Sequence, residues 1–219
     1  MYSLPASYTI NGSGIITFRT TGNPTCPELI YTGSGGLNFT SSSSSVMSWN
    51  LSGGLNTGTA SLTIAKGSTG LNIFNTNNNY IICGALSIRN ATLTADFNIN
   101  LGSSIISCTS FTNSGGAALG TVNLNMGSSQ WTCSGSWTSI PTHTLNFIPG
   151  NCSVTFTDTA SITMNGKFLN FFIINAPTKT ITLSDNLICH GYQNIDGTLN
   201  KNGKSFSATG DYVEVSNLS

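Results

Sequence analysis

Apolar residues recur in this chain every 25 positions. Asn100-Leu101-Gly102-Ser103-Ser104 returns as Asn125-Met126-Gly127-Ser128-Ser129. Cys83, Cys108 and Cys133 keep the same interval, as do Ile81, Ile106, Trp131, Phe156, Ile181 and Phe206. Two further columns follow the same count: Phe97, Val122, Phe147 and Phe172, then Phe74, Ile99, Leu124, Pro149, Ile174 and Leu199. Self-similarity at a fixed period of about 20–50 residues marks a solenoid. No window carries the i, i+3, i+4, i+7 apolar pattern of a helix. Instead, runs of three to six residues alternate apolar and polar between Gly, Asn, Ser and Asp.

Two or three such strands per period make one coil. The expected fold is therefore all-β, a right-handed parallel β-helix with coils of about 25 residues. It is expected over residues 37–219. An irregular N-terminal segment, residues 1–36, holds Pro5, Pro24 and Pro27 and reads as a cap or attachment element, since a solenoid needs atypical ends. Asn11-Gly12, Asn165-Gly166, Asp196-Gly197 and Asn202-Gly203 would suit hairpins of an antiparallel alternative. The columns run through them, and Asn also suits solenoid corners. The closing segment Tyr212-Val213-Glu214-Val215 lacks a polar cap and is expected to meet another subunit or domain.

Charge narrows the partners. Only 6% of residues are charged, and seven basic side chains cancel seven acidic ones. Nucleic acid needs a basic stripe, and an anionic membrane surface needs a polybasic segment, so neither is an expected partner. The chain lacks an apolar run long enough to span a bilayer, so no membrane insertion is expected. Met1-Tyr2-Ser3-Leu4-Pro5 lacks the basic-then-apolar order of a secretory signal. The neutral surface of hydroxyls and amides is typical of extracellular and virion rods.

Six cysteines invite a disulfide framework. Cys83, Cys108, Cys133 and Cys189 each follow an apolar residue by two positions, which places both on the inward face of a strand. The first three then form a buried ladder of small hydrophobes. A coil spacing of about 4.8 Å gives only borderline disulfide geometry. Cys26 and Cys152 lie outside the ladder and are left open as free or paired.

Candidate chemistry is sparse. The acids are Glu28, Asp96, Asp158, Asp185, Asp196, Asp211 and Glu214. Glycosidase chemistry needs two carboxylates about 5–10 Å apart. Asp158 and Asp185, or Asp185 and Asp211, have a spacing that suits adjacent coils. Asp185, Asp196 and Asp211 sit in turn contexts, where Asp bonds its own backbone. His143 and His190 stand alone, and no spacing of Cys and His suits zinc. No catalytic residue, cofactor site or metal site is assigned. Among the aromatics, Trp131 belongs to an inward column. Trp49 and Trp137 are less constrained and are the candidates for stacking on a glycan. Thr92/Thr94, Thr155/Thr157 and Thr180/Thr182 are not in register at 25 residues, so they read as ordinary outward strand residues.

One stretch is more specific. Leu169-Asn170-Phe171-Phe172-Ile173-Ile174-Asn175 precedes Lys179-Thr180-Ile181-Thr182-Leu183-Ser184-Asp185-Asn186-Leu187. Asp196-Gly197-Thr198-Leu199-Asn200-Lys201-Asn202-Gly203-Lys204-Ser205-Phe206 follows, and Gln130-Trp131-Thr132-Cys133-Ser134-Gly135-Ser136-Trp137-Thr138 forms a strand pair upstream. This wording resembles the β-solenoid segments of bacteriophage virion proteins. The resemblance implies a tail fibre, tail spike or decoration rod on the virion surface, with no enzymatic activity. It further implies a homo-oligomer (a trimer) or contact with other virion proteins, and attachment to host-surface glycans. Similar segments occur in bacterial cell-surface adhesins and filament subunits, the first alternative. A β-helical polysaccharide depolymerase is the second.

Overall fold

In a computed structural model, residues 7–20, 23–41, 47–66, 72–90, 96–115, 121–139 and 145–214 are described. They form an all-β solenoid with coils of about 24 residues. The strands that build it pair in parallel throughout, so the antiparallel alternative is set aside. Each coil passes through three faces. The first holds Ser7–Ile10, Glu28–Tyr31, Leu55–Asn56, Gln130–Cys133, Ser153–Phe156 and Tyr212–Glu214. The second holds Ile15–Thr20, Gly36–Ser41, Ser61–Lys66, Trp137–Ser139 and Ala160–Thr163. The third is a separate six-stranded sheet of Thr25–Cys26, Met47–Leu51, Asn72–Asn75, Phe97–Asn100, Val122–Asn125 and Leu145–Ile148.

Long strands such as Ile81–Asn90 and Ile105–Gly115 run from the first face into the second. In Ile81–Asn90 the alternation of buried and exposed residues skips a beat at Gly84, where the chain turns the corner. Either side of that corner, period-2 alternation aims one set of side chains inward. Leu29, Leu55, Ile81, Ile106, Trp131 and Val154 stack on the first face, and all are 2% exposed or less. Leu37, Leu62, Leu86, Phe111, Trp137 and Ile162 do the same on the second. Phe74, Ile99 and Leu124 fill the third. A fully buried Leu or Phe contributes roughly 1.5–3 kcal/mol through the hydrophobic effect, so these ladders dominate the stability.

The corner after the third face shows why the Gly-Ser-Ser words repeat. Gly102, Gly127 and Gly150 have φ of +57°, +57° and +55°, and they stack. Each opens a tight turn closed by a backbone bond, such as Ser129 N–H to Met126 O at 3.0 Å. The final Ser of the word points into the core and is satisfied there. Ser104 Oγ donates to Thr76 Oγ1 at 2.7 Å, and Trp131 Nε1 donates to Ser129 Oγ at 2.9 Å. These bonds meet the requirement that buried polar atoms find partners.

Parallel stacking already includes strands before residue 37. Ser7–Ile10 already pairs in parallel with Glu28–Tyr31, and Ile15–Thr20 with Gly36–Ser41. Pro24 and Pro27 flank the two-residue strand Thr25–Cys26 and so remove no ladder donor within it. Pro5 lies outside the described residues. The fixed period of 25 fails beyond Trp131. The first-face column continues through Val154, Phe172, Tyr192 and Tyr212, at steps of 23, 18, 20 and 20. Phe156 instead extends the cysteine column, and Phe147 extends the column of Leu124. The later coils are shorter because their corners are shorter.

The glycine stack gives a direct test. A Cβ on Gly127 would lie 2.4 Å from the carbonyl oxygen of Gly102, and its φ is left-handed. Gly58 has the same φ of +57° but nothing within 4 Å of its Cβ position. Gly58→Ala is expected to cost about 1–2 kcal/mol from φ alone, and Gly127→Ala clearly more. Urea denaturation of the two variants checks the order.

Candidate functional site

With the interior filled by ladders, the candidate sites are the outward columns. Their chemistry differs from face to face. On the third face asparagines stack and bond along the rod. Asn100 Nδ2 donates to Asn75 Oδ1 at 2.8 Å, and Asn75 Nδ2 to Asn50 Oδ1 at 2.8 Å. A second ladder joins Asn146 to Asn123 at 3.1 Å and Asn123 to Asn98 at 2.7 Å. An amide carries a donor and an acceptor at once, so it can repeat along an axis without a mismatch.

The second face carries hydroxyls. Ser61-Leu62-Thr63, Ala85-Leu86-Ser87, Ser110-Phe111-Thr112, Ser136-Trp137-Thr138 and Ser161-Ile162-Thr163 occupy successive coils. The central residue of each is buried, and the flanking pair faces outward. Register makes a column of Asn38, Thr63, Ser87, Thr112, Thr138 and Thr163. Beside it run Ser61, Ala85, Ser110, Ser136, Ser161 and Thr182. No charged residue interrupts either column. A search for Thr-x-Thr at a strict 25 residues does not reveal this array. The usable signal was Ser-x-Thr around an inward residue, at steps of 24, 25, 26 and 25.

The first face is more apolar. Ile105 is 60% exposed, and Ile82 lies outward beside it. The Tyr80 ring lies across Gly54, whose Cβ position is 2.2 Å from it. Tyr80 Oη donates to Glu28 Oε1, and that bond holds the phenol above its usual range.

Neither tryptophan proposed for glycan stacking is placed for it. Trp137 is fully buried, with its ring 4.2 Å from Phe111 and 5.1 Å from Trp131. Trp49 is half-buried in the inward column that continues through Phe74. Its ring meets Phe39 edge-on at 5.1 Å, and Nε1 donates to Thr40 O at 3.4 Å. Both serve the core.

No protein-family model, curated protein or solved structure matches the chain.

The carboxylate pairs suggested by spacing are not formed. Asp158 lies at the corner between the first and second faces, Asp185 between the second and third, and Asp211 between the third and first. Asp158 accepts from Thr159 N at 2.7 Å and from Lys179 Nζ at 3.2 Å, and both bonds hold its carboxyl below the usual range. Asp185 accepts from Met164 N at 2.9 Å and from Asn165 N, closing a turn. Asp96 accepts from Thr121 N at 3.1 Å. These acids are engaged in structure. His190 lies on the surface, its ring across Gly210, and His143 lies outside the described residues. Among the described residues no three His, Cys, Asp or Glu side chains are grouped to hold a metal ion.

The cysteine ladder forms as expected. Cys83, Cys108 and Cys133 are in register and buried, and all six cysteines are free thiols. Burial pushes the Cys83 thiol up to about 12, and Cys152 and Cys189 up to about 11, from 9.0. Between pH 9 and about 12 the unfolded chain therefore loses protons that the folded chain keeps. Stability from this source is intact below pH 9 and falls as pH rises through 11–12. The urea midpoint is expected to drop over that range, and to drop less in Cys83→Ala/Cys152→Ala.

Proposed function

We propose that this chain is a non-enzymatic rod of a bacteriophage virion surface, a fibre, spike or decoration element that contacts neutral host glycans. The virion assignment draws on the resemblance of residues 130–138 and 169–206. The observation that carries the glycan contact is the paired hydroxyl column of the second face. It offers donors and acceptors at regular intervals without a charge, which suits the neutral hydroxyls of a polysaccharide. Coil spacing of about 4.8 Å places neighbouring hydroxyls within reach of one extended sugar chain. The engagement of Asp96, Asp158 and Asp185 in turns and an ion pair favours binding over hydrolysis.

The full chain on an array of bacterial surface glycans tests this reading. Binding to neutral polysaccharide is expected, with no release of reducing ends. Thr112→Lys/Thr138→Lys changes only outward positions and is expected to weaken binding at least tenfold, with an unchanged circular dichroism spectrum. Absence of binding to any glycan would overturn the reading, and release of reducing ends would replace it with a depolymerase.

A further inference from the structure

The cysteine column brings nucleophilic side chains together in the interior of the rod. Cys83, Cys108 and Cys133 stack in register on three successive coils. The three are not equivalent. Cys83 and Cys108 lie inside the long strands Ile81–Asn90 and Ile105–Gly115, which run on through the corner. Cys133 is the last residue of Gln130–Cys133. Ser134, Gly135 and Ser136 then separate it from Trp137, which pairs with Phe111. Only Gly84 and Ala85 lie between Cys83 and Leu86, and only Thr109 and Ser110 between Cys108 and Phe111. The corner after Cys133 is therefore one residue longer than the corner after its two neighbours.

That extra residue bears on sulfur chemistry. Neighbouring strands lie about 4.8 Å apart, within the Cα separations of about 4.4–6.8 Å that a disulfide spans. In a straight ladder the Cβ atoms are equally far apart, slightly beyond the roughly 3.5–4.5 Å that the bond requires. One strand must therefore lean toward the other. Between Cys83 and Cys108 the ladder is continuous on both sides, through Ile82 with Ser107 and Ala85 with Ser110. Cys133 follows the paired Thr132 but opens into the longer corner, so it has room to lean. Ser134 N–H donates to Cys108 O at 3.1 Å and keeps the two strands adjacent up to that point. The two sulfurs already interact. The Cys108 thiol donates to Cys133 Sγ, and this bond draws the Cys133 thiol below its usual range although burial opposes it. The same bond, with burial, pushes the Cys108 thiol up. A thiol poised toward thiolate beside a protonated one suits an attacking and a resolving sulfur.

We propose that Cys108 and Cys133 form a disulfide that staples two neighbouring coils when the chain meets a small disulfide oxidant such as oxidised glutathione. The Cys133 thiolate attacks one sulfur of the oxidant and expels a glutathione thiolate. Cys108 then gives up its proton, and its sulfur attacks the Cys133 sulfur of the mixed disulfide and expels the second glutathione. Two protein thiols are oxidised, and one small disulfide is reduced to two thiols that take up the two protons. Cys133 is 0% exposed and Cys108 3%, so the exchange takes place while the chain folds or when this corner opens. Once the coils close, the bond is shielded from reductants. It ties a loop of 25 residues in the unfolded chain and so favours the folded rod. It also lies where the first-face column changes step, from 25 residues before Trp131 to 23 after it. The staple joins the regular coils to the shorter ones.

Refolding the full chain from urea in glutathione buffers, graded from reduced to oxidised, tests the staple. Free thiols are then blocked in denaturant and the links mapped by mass spectrometry. An intramolecular 108–133 bond is expected toward the oxidised end, with Cys26, Cys83, Cys152 and Cys189 still free. The linked chain is expected to unfold at a urea midpoint about 1 M higher than the reduced chain. Cys108→Ala and Cys133→Ala are each expected to lose both the link and that rise, whereas Cys83→Ala keeps both. Should a variant fail to fold, the link map and the two midpoints of the unmutated chain decide by themselves. Six free thiols throughout the series, an 83–108 bond in place of 108–133, glutathione retained on Cys133, a link between copies, or a linked chain with an unchanged or lower midpoint would overturn the proposal.

Discussion

Parallel stacking in register at about 4.8 Å makes each residue the nearest neighbour of its own counterpart one coil away. A position is therefore filled by residue types that tolerate a copy of themselves on both sides. Asn50, Asn75 and Asn100 do so because an amide both donates and accepts. Cys83, Cys108 and Cys133 do so as small hydrophobes. Gly102, Gly127 and Gly150 do so because their carbonyls approach the next coil more closely than any Cβ allows. The faces, the corners and the outward chemistry all follow from this neighbour rule.

The rule acts on faces more tightly than on corners. A face residue that slips by one position turns every following side chain to the other side. A corner can shed residues as long as the next strand regains its register. From Trp131 to Tyr212 the coils shorten while the inward column stays filled by Val154, Phe172 and Tyr192. The rod keeps a continuous core by letting its corners, not its strands, absorb the change.

That division explains what could be read from the sequence. Between residues 72 and 133 the corners have constant length, so counting letters recovered the true columns, including the cysteine ladder. Beyond Trp131 the same count drifted off register and assigned Phe156 and Phe172 to the wrong columns. The hydroxyl array was hidden by a smaller drift of one residue either way, and by the alternation of Ser and Thr, which are equivalent as outward hydroxyls. Trp137 departs from expectation for a different reason. Gly135 suggested a break in the alternation, yet Trp131, Cys133 and Trp137 are all buried, so the even count holds across the corner. The N-terminal prolines suggested irregularity, but Pro24 and Pro27 stand beside a strand rather than inside one.

The low charge content has a structural cause as well as a functional meaning. Two like charges about 4.8 Å apart repel by about 0.9 kcal/mol even in bulk water, and by more near a protein surface. A charged column would accumulate that cost at every coil. The column Arg19, Thr40, Ala65, Arg89 shows the solution, with two neutral coils between the arginines. Neutrality alone is then weak evidence about partners, since the fold demands it of any outward column. The order of the neutral residues is not demanded in the same way. Asn, Ser, Thr and Ala are all tolerated by stacking, yet asparagines gather on the third face and hydroxyls on the second. That segregation is the part of the surface left unexplained by packing, and it is where recognition by the rod is to be sought.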